Sequence, residues 1–189
     1  FKNGTVIDVG ASTGGFTDYS LKQGADKVYA VDVGHDQLID RIKKDARVKN
    51  YEGYNFRYAD PNDFLDPKPN IAVVDVSFIS LELILPALFR VLSEDGQAIL
   101  LFKPQFEVGR HNIGNRGIVH KWKAVWIAYQ RFSKLASEIG FHIYGFTESP
   151  IKGAGGNREF LVYLSKNILK REAHLPTSIA AYIEKSYRR

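Results

Sequence analysis

VIDVGASTGGFTDYSLKQGADKVYAVDVG (residues 6–34) holds an apolar run, a glycine cluster and a second apolar run, and each run carries an aspartate near its end, Asp8 and Asp32. The runs Val6–Val9 and Val28–Val31 are nearly continuous rather than alternating, which suits strands covered on both faces, as in a parallel sheet. A strand that feeds a glycine-rich turn and then a helix brings backbone N–H groups close to a ligand, because glycine lacks the Cβ that would block the approach. Gly10, Gly14 and Gly15 fit that role. Asp32 lies 24 residues beyond Asp8 at the end of the second run. A carboxylate there can accept hydrogen bonds from ribose hydroxyls, so the expected ligand contains a nucleoside. The turn reads G-A-S-T-G-G, not the G-x-G-x-x-G of nicotinamide dinucleotide sites. Asp8, directly before it, disfavours a pyrophosphate and suits a cationic ligand. S-adenosylmethionine, with its sulfonium and amino groups, is such a ligand. A plain tight strand-to-helix turn is the structural alternative, and the downstream Asp32 argues against it.

Further out, apolar runs recur at Ile71–Val76 and Ala98–Phe102, with helical segments expected at Phe16–Gln23, Asp36–Lys44 and Leu81–Leu92. The βαβα alternation predicts an α/β fold, a doubly wound and mostly parallel sheet with helices on both faces. KPQFEVGRHNIGNRGIVHK (residues 103–121) has no periodicity and reads as a long loop. A helix follows, because Trp122, Val125, Trp126, Tyr129, Phe132, Ala136 and Ile139 recur at three- and four-residue steps before Gly140. FHIYGFT (141–147) and EFLVYL (159–164), either side of KGAGGN, predict an antiparallel pair at one edge of the sheet near the C-terminus. Ile179, Tyr182, Ile183, Ser186 and Tyr187 share one face of a terminal helix. The expected organisation is one domain over residues 1–165 and a C-terminal helical extension over 166–189.

The chain has 189 residues, 44% of them hydrophobic and 25% charged, ordinary values for one globular domain. It has no cysteine, which excludes a disulfide framework and a thiolate zinc site, no metal is expected, and a reducing cytoplasm is the natural setting. No apolar run approaches the roughly 20 residues of a membrane span, so no stable membrane association is expected. The chain starts at Phe1 and contains no methionine, which suggests that it begins inside a longer gene product. The formal net charge is +5, and Arg110, Arg116, Lys121 and Lys123 crowd one segment with Glu107 as its single acid, which favours a polyanionic partner.

DVGASTGGFTD (8–18), DVSFISL (75–81), KPQFEVGR (103–110) and SPIKGAGGNREFL (149–161) stand in one order. With them the chain resembles, from about Thr5 to Leu164, the TlyA family, whose members are called hemolysins and also ribosomal RNA methyltransferases. That family belongs to the FtsJ-like class of S-adenosylmethionine-dependent ribose 2′-O-methyltransferases, which have a Rossmann-like fold. Its members usually carry an N-terminal S4-type RNA-binding domain, absent from this sequence. The class uses a Lys-Asp-Lys-Glu set. By motif the resemblance implies Asp75 as the aspartate, Lys103 as the second lysine and Glu159 as the glutamate, with the first lysine upstream; Lys2 is too close to the glycine motif to be its equivalent. Methyl transfer to a hydroxyl needs near-attack positioning and a base. Lys103 is the candidate base, Asp75 orients it or the methyl donor, and Glu159 holds a lysine ammonium. By resemblance Asn55 and Asp60 are cofactor contacts, and Asn55 is otherwise a turn asparagine. Ser12 and Thr13 bond the cofactor carboxylate or cap the first helix. Arg110, Arg116 and Lys121 are the expected RNA contacts. Ribosomal RNA or ribosomal subunits are the implied partners. The competing class is a nucleoside-binding or membrane-active protein without catalysis.

Overall fold

The computed structural model describes residues 1–170 and 172–188. Seven strands form one sheet: β1 (Thr5–Val9), β2 (Lys27–Val31), β3 (Val48–Tyr51), β4 (Ile71–Val74), β5 (Gln97–Phe102), β6 (His142–Glu148) and β7 (Phe160–Ser165). Their order is β3-β2-β1-β4-β5-β7-β6. The first five strands in that order are mutually parallel. β7 runs antiparallel to both β5 and β6. The expected antiparallel pair is therefore present, with the reversed strand one place in from the edge and β6 outermost.

The continuous apolar runs are explained by coverage on two sides. Val6, Val28, Ala30 and Val73 pack with Leu21, Ala25, Leu38 and Ile42 under α1 (Gly15–Lys22) and α2 (Asp40–Lys43). Ile7, Val9, Tyr29, Val31, Ala72 and Val74 face the larger cluster built by α3 (Leu81–Val91) and α5 (Trp122–Ile139). Each fully buried Val, Leu, Ile or Phe side chain contributes about 1.5–3 kcal/mol relative to exposure. α6 (Ile179–Arg188) docks on α5, and its Ile183 is fully buried in that larger cluster. Among the described residues no helix is long and apolar enough to cross a membrane.

Three segments depart from the expectations. The helix expected over Asp36–Lys44 shrinks to α2, because Asp36 is left-handed (φ 51°) and Ile39 is extended (ψ 143°). Buried Leu38, packed against Gly14, and the bond from Ile39 N–H to the Thr13 carbonyl at 3.4 Å hold that stretch against the turn after β1, and tertiary anchoring outweighs helix propensity. β3 has no apolar run, because Val-Lys-Asn-Tyr at the sheet edge carries two polar residues in its middle and buries none of its side chains fully. The stretch 103–121 is more ordered than a bare loop: it contains α4 (Pro104–Glu107), one 3₁₀ turn at Arg110–Asn112 and an isolated bridge between Ile113 and Val119.

Candidate active site

The ends of β1 and β4 meet at the first cavity. Gly10 has φ 85°, and a Cβ on it would fall 2.2 Å from the Asp75 carbonyl oxygen, so glycine is what lets the turn after β1 close against β4. Gly14, at φ 96°, precedes α1, and a Cβ there would meet Leu38 and Ile42 at 2.6 and 2.7 Å. Gly15 faces open space. Two of the three glycines thus serve the chain's own packing, and Gly15 leaves room at the helix start.

Asp32 ties the turn to β2: its Oδ2 accepts from Ser12 N–H at 2.8 Å and its Oδ1 from Gly34 N–H at 2.8 Å. A carboxylate has about four acceptor sites, so capacity remains for a ligand hydroxyl. Ser12 and Thr13 are exposed and do not cap α1; Gly14 holds that place and no side chain caps the helix. The cavity measures about 310 Å³ and is lined by Gly10, Ser12, Asp32, Asn55 and Asp75, and also by Tyr54 and Phe78. Asn55 does double service, since its Oδ1 also accepts from Arg57 N–H at 3.2 Å.

Of the expected cofactor residues, Gly10, Ser12, Asp32 and Asn55 line this cavity, Thr13, Gly14 and Gly15 stand in the turn outside its lining, and Asp8 and Asp60 lie elsewhere. Strand alternation puts Asp8 on the face of Val6, towards α1, where it is fully buried and accepts from Thr17 Oγ1 at 2.6 Å. Its Oδ1 is buried with no partner. Burial pushes the Asp8 carboxyl up to about 6, against the lowering effect of the Thr17 bonds and with the Asp75 and Asp32 charges adding to the rise. Asp60 is exposed outside the cavity and starts the 3₁₀ turn Pro61–Phe64 by accepting from Asn62 N–H at 2.9 Å. Tyr54, by contrast, lines the cavity and donates to Asp63 Oδ2 at 2.7 Å; burial, then the Asp63 bond, push its hydroxyl up to about 12.

A second cavity of about 470 Å³ shares Asp75, Ser77 and Phe78 with the first and adds Lys103, Gln105, Arg116 and Glu159. Lys103 Nζ lies 2.6 Å from Asp75 Oδ1, an ion-pair contact whose angle falls outside hydrogen-bond range, and donates to Ser77 Oγ at 3.0 Å. Glu159 is buried, and its Oε1 accepts from Gln105 Nε2 at 2.8 Å. Asp75, Lys103 and Glu159 therefore share one cavity. Glu159 is held by an amide, and among the described residues it makes no ion pair with a lysine. Lys2 packs against Gly24, at the opposite end of β1.

Phe78 is 92% exposed at φ 64° on the wall common to both cavities, its ring centroid 5.1 Å from that of Phe106. In sequence it hides within an apolar motif. Glu107, also unanticipated, is buried, and burial pushes its carboxyl up. Its Oε2 accepts from Ser80 Oγ at 2.6 Å and its Oε1 from Leu81 N–H at 2.8 Å. Lys103 at the start of α4 and Glu107 at its end thus bracket the turn 75–81. The tip of the following loop is docked by Asn157, whose Oδ1 accepts from Val119 N–H at 3.0 Å and whose Nδ2 donates to the Gly117 carbonyl at 2.9 Å. Of the expected RNA contacts, Arg116 lines the second cavity, Lys121 lies in a third on the far side of the loop, and Arg110 lines none of the three.

A doubly wound sheet with a reversed strand beside β5, and paired cavities at the carboxyl ends of its strands, defines a Rossmann-like fold. The family model of FtsJ-like methyltransferases matches residues 1–166, and the chain belongs to that family. It is 46% identical over 163 residues to a Bacillus subtilis protein provisionally named rRNA methyltransferase YqxC, covering 86% of this chain and 58% of that one. It is 40% identical over 158 residues to the 16S/23S rRNA (cytidine-2′-O)-methyltransferase TlyA of Mycobacterium tuberculosis, covering 84% of this chain and 59% of that one. A solved structure from Streptococcus thermophilus that carries a provisional hemolysin name superposes with a TM-score of 0.90 at 46% identity, over 99% of this chain and 67% of that one. The chain thus spans less than two thirds of the length of these two curated relatives.

Proposed function

We propose that this protein is an S-adenosylmethionine-dependent methyltransferase that acts in the cytoplasm on ribose 2′-hydroxyls of ribosomal RNA. The observation that carries the proposal is the Asp75–Lys103 pair on the wall between two cavities, one nucleoside-sized beneath the glycine turn and one containing Glu159. The donor set suits the cofactor: Asp32 offers free acceptor sites to ribose hydroxyls, Asn55 lines the cavity for a base edge, and Gly15 leaves a cradle beside the turn. The orphaned Oδ1 of Asp8 keeps negative potential beneath that turn, which suits a cation. When bound, S-adenosylmethionine supplies an electrophilic methyl group. Lys103, held in reach by Asp75 and Ser77, would take up the hydroxyl proton as the oxygen–methyl bond forms and the methyl–sulfur bond breaks, with S-adenosylhomocysteine as the leaving group. Gln105 fixes the Glu159 carboxylate, leaving its second oxygen for a cationic or hydroxyl partner. Phe78, exposed beside Phe106, offers a face on which the target base stacks once it leaves its helix. Arg116 and the exposed Arg110 contact neighbouring phosphates. The relatives named as rRNA methyltransferases support ribosomal RNA as the substrate.

Two variants test this. Lys103→Ala in the full-length protein should abolish transfer of a radiolabelled methyl group to ribosomal subunits while leaving S-adenosylmethionine affinity by calorimetry nearly unchanged. Asp32→Ala should weaken cofactor binding at least tenfold. Retained transfer in the first variant, or undiminished affinity in the second, overturns the assignment of that residue.

A further inference from the structure

The loop 108–121 separates two cavities, and the outer one has no assigned use. It measures about 530 Å³ and lies between residues 108–112 and the first turn of α5. Lys121, Lys123 and Arg131 are its cations, with His111 beside them. Its single acid, Glu107, is buried with both carboxylate oxygens held by Ser80 and Leu81, so it does not neutralise them. Arg131 is spoken for, bonded to the Glu107 carbonyl at 2.8 Å and to Glu82 at 3.2 Å. His111, Lys121 and Lys123 are exposed, and among the described residues no ion pair involves any residue from 108 to 123. The opposite end of the molecule behaves differently: Lys22, Arg41, Lys43 and Arg47 each pair with an aspartate or glutamate. Lys121 and Lys123, gathered in one groove with no free acid beside them, keep their full potential for a polyanion. The start of α5, 18 residues long and uncapped by any side chain, adds the positive end of its dipole to the same groove.

Placement links this groove to the reacting centre. α4 begins at Lys103 in the Glu159 cavity and ends at Glu107 in the floor of the outer groove, four residues and about 6 Å of helix rise away. The inner cavity and the outer groove thus adjoin across this one short helix.

We infer that this groove seats the sugar–phosphate backbone flanking the methylated nucleotide, with Lys121, Lys123 and His111 as its phosphate contacts. The inference rests on the RNA-methyltransferase reading above. It calls for sequence-independent binding, because phosphate contacts position the strand and carry no base information. The test compares the full-length protein with its Lys121→Ala/Lys123→Ala double variant, and with Lys134→Ala as a control; Lys134 lies farther along α5, paired with Glu138 at 3.8 Å. Affinity for purified ribosomal RNA is measured across a salt series, alongside S-adenosylmethionine affinity and methyl transfer. The double variant should lose roughly tenfold in RNA affinity, and its log–log salt slope should become shallower by about 1.4–1.8, the equivalent of two phosphate contacts. KM for RNA should rise, while cofactor affinity and the control variant stay at the wild-type level. An unchanged salt slope in a double variant that folds and binds cofactor overturns the groove alone. If the wild-type protein neither binds nor methylates ribosomal RNA, the RNA-methyltransferase reading falls, and the groove falls with it.

Discussion

Asp8 carries a charge problem that the fold accepts. Its carboxyl is pushed from 3.8 up to about 6 by burial, so at neutral pH the folded chain holds a charged group that it would rather hold neutral, at a cost of about 3 kcal/mol at most. The folded state keeps this proton to higher pH than the unfolded chain does. Stability from this group should therefore fall as pH rises from about 4 to about 6 and then level off. Asp8→Asn, which retains an oxygen for the Thr17 hydroxyl, should flatten that window, as read by urea denaturation at pH 4.5 and 7.5. An equal slope in both proteins would show that Asp8 is not the titrating group. The spacing of Asp8 and Asp32 is visible in sequence, and the expectation of a nucleoside ligand rests on that spacing. The direction of Asp8 is not visible in a motif, because a motif records types and spacing whereas the face is set by alternation, which pairs Asp8 with Val6 under α1. Asp60 has a local role that the motif does not reveal: followed by proline, it starts a turn by accepting from Asn62 N–H.

At the scale of elements, α4 is the smallest piece with the widest reach. Its two ends hold the turn 75–81 through Lys103 to Asp75 and Ser77 and through Glu107 to Ser80 and Leu81. Phe78 stands between those anchors with a left-handed backbone that a bulky residue disfavours. Glu107→Ala would leave a buried Leu81 N–H without its acceptor, so a loss of about 1–3 kcal/mol is expected by thermal denaturation. Glu107→Gln, which keeps one acceptor oxygen, should restore part of it. Unchanged stability in the Ala variant would remove Glu107 from this role. Nothing in the residue pattern announces α4, since four residues after a strand show no period, and its anchoring depends on contacts across 26 positions. The long buried elements are different. β1, β2, β4 and α5 are legible because burial on both faces, or along one face over five turns, imposes a pattern on the sequence itself, and β5 is legible from its apolar run although Ile99 and Leu101 on one face are exposed or half-buried.

For the molecule as a whole, the two sides of the sheet differ in what they leave open. α1 and α2 cover β2, β1 and β4 on one side, whereas on that side Ile99, Leu101, Leu161 and Tyr163 of β5 and β7 are only half-buried or exposed. α3, α5 and α6 close the other side along the whole sheet, and α6 is the last piece of that closure. Its apolar face is used up there: Ile183 is fully buried, Ile179, Tyr182 and Tyr187 pack on the same cluster, and the Tyr182 hydroxyl accepts from Glu148 N–H at 3.1 Å. Tyr187 also lies 5.9 Å from the Arg158 guanidinium, next to Glu159, so the terminal helix braces the strand that carries a proposed catalytic carboxylate. A basic amphipathic helix can instead lie on a lipid surface, but only if its apolar face is free to enter the interface. Undocking α6 would forfeit the burial of Ile183, and Ile183→Ala should destabilise the protein by about 2–5 kcal/mol. The wild-type protein should accordingly fail to sediment with vesicles containing one third anionic phospholipid at physiological salt, whereas Ile183→Ala, with a loosened helix, should bind them more than the wild type does. If wild-type protein bound such vesicles tightly while Ile183→Ala kept wild-type stability, then α6 would be a membrane-seeking tail and not a part of the methyltransferase core.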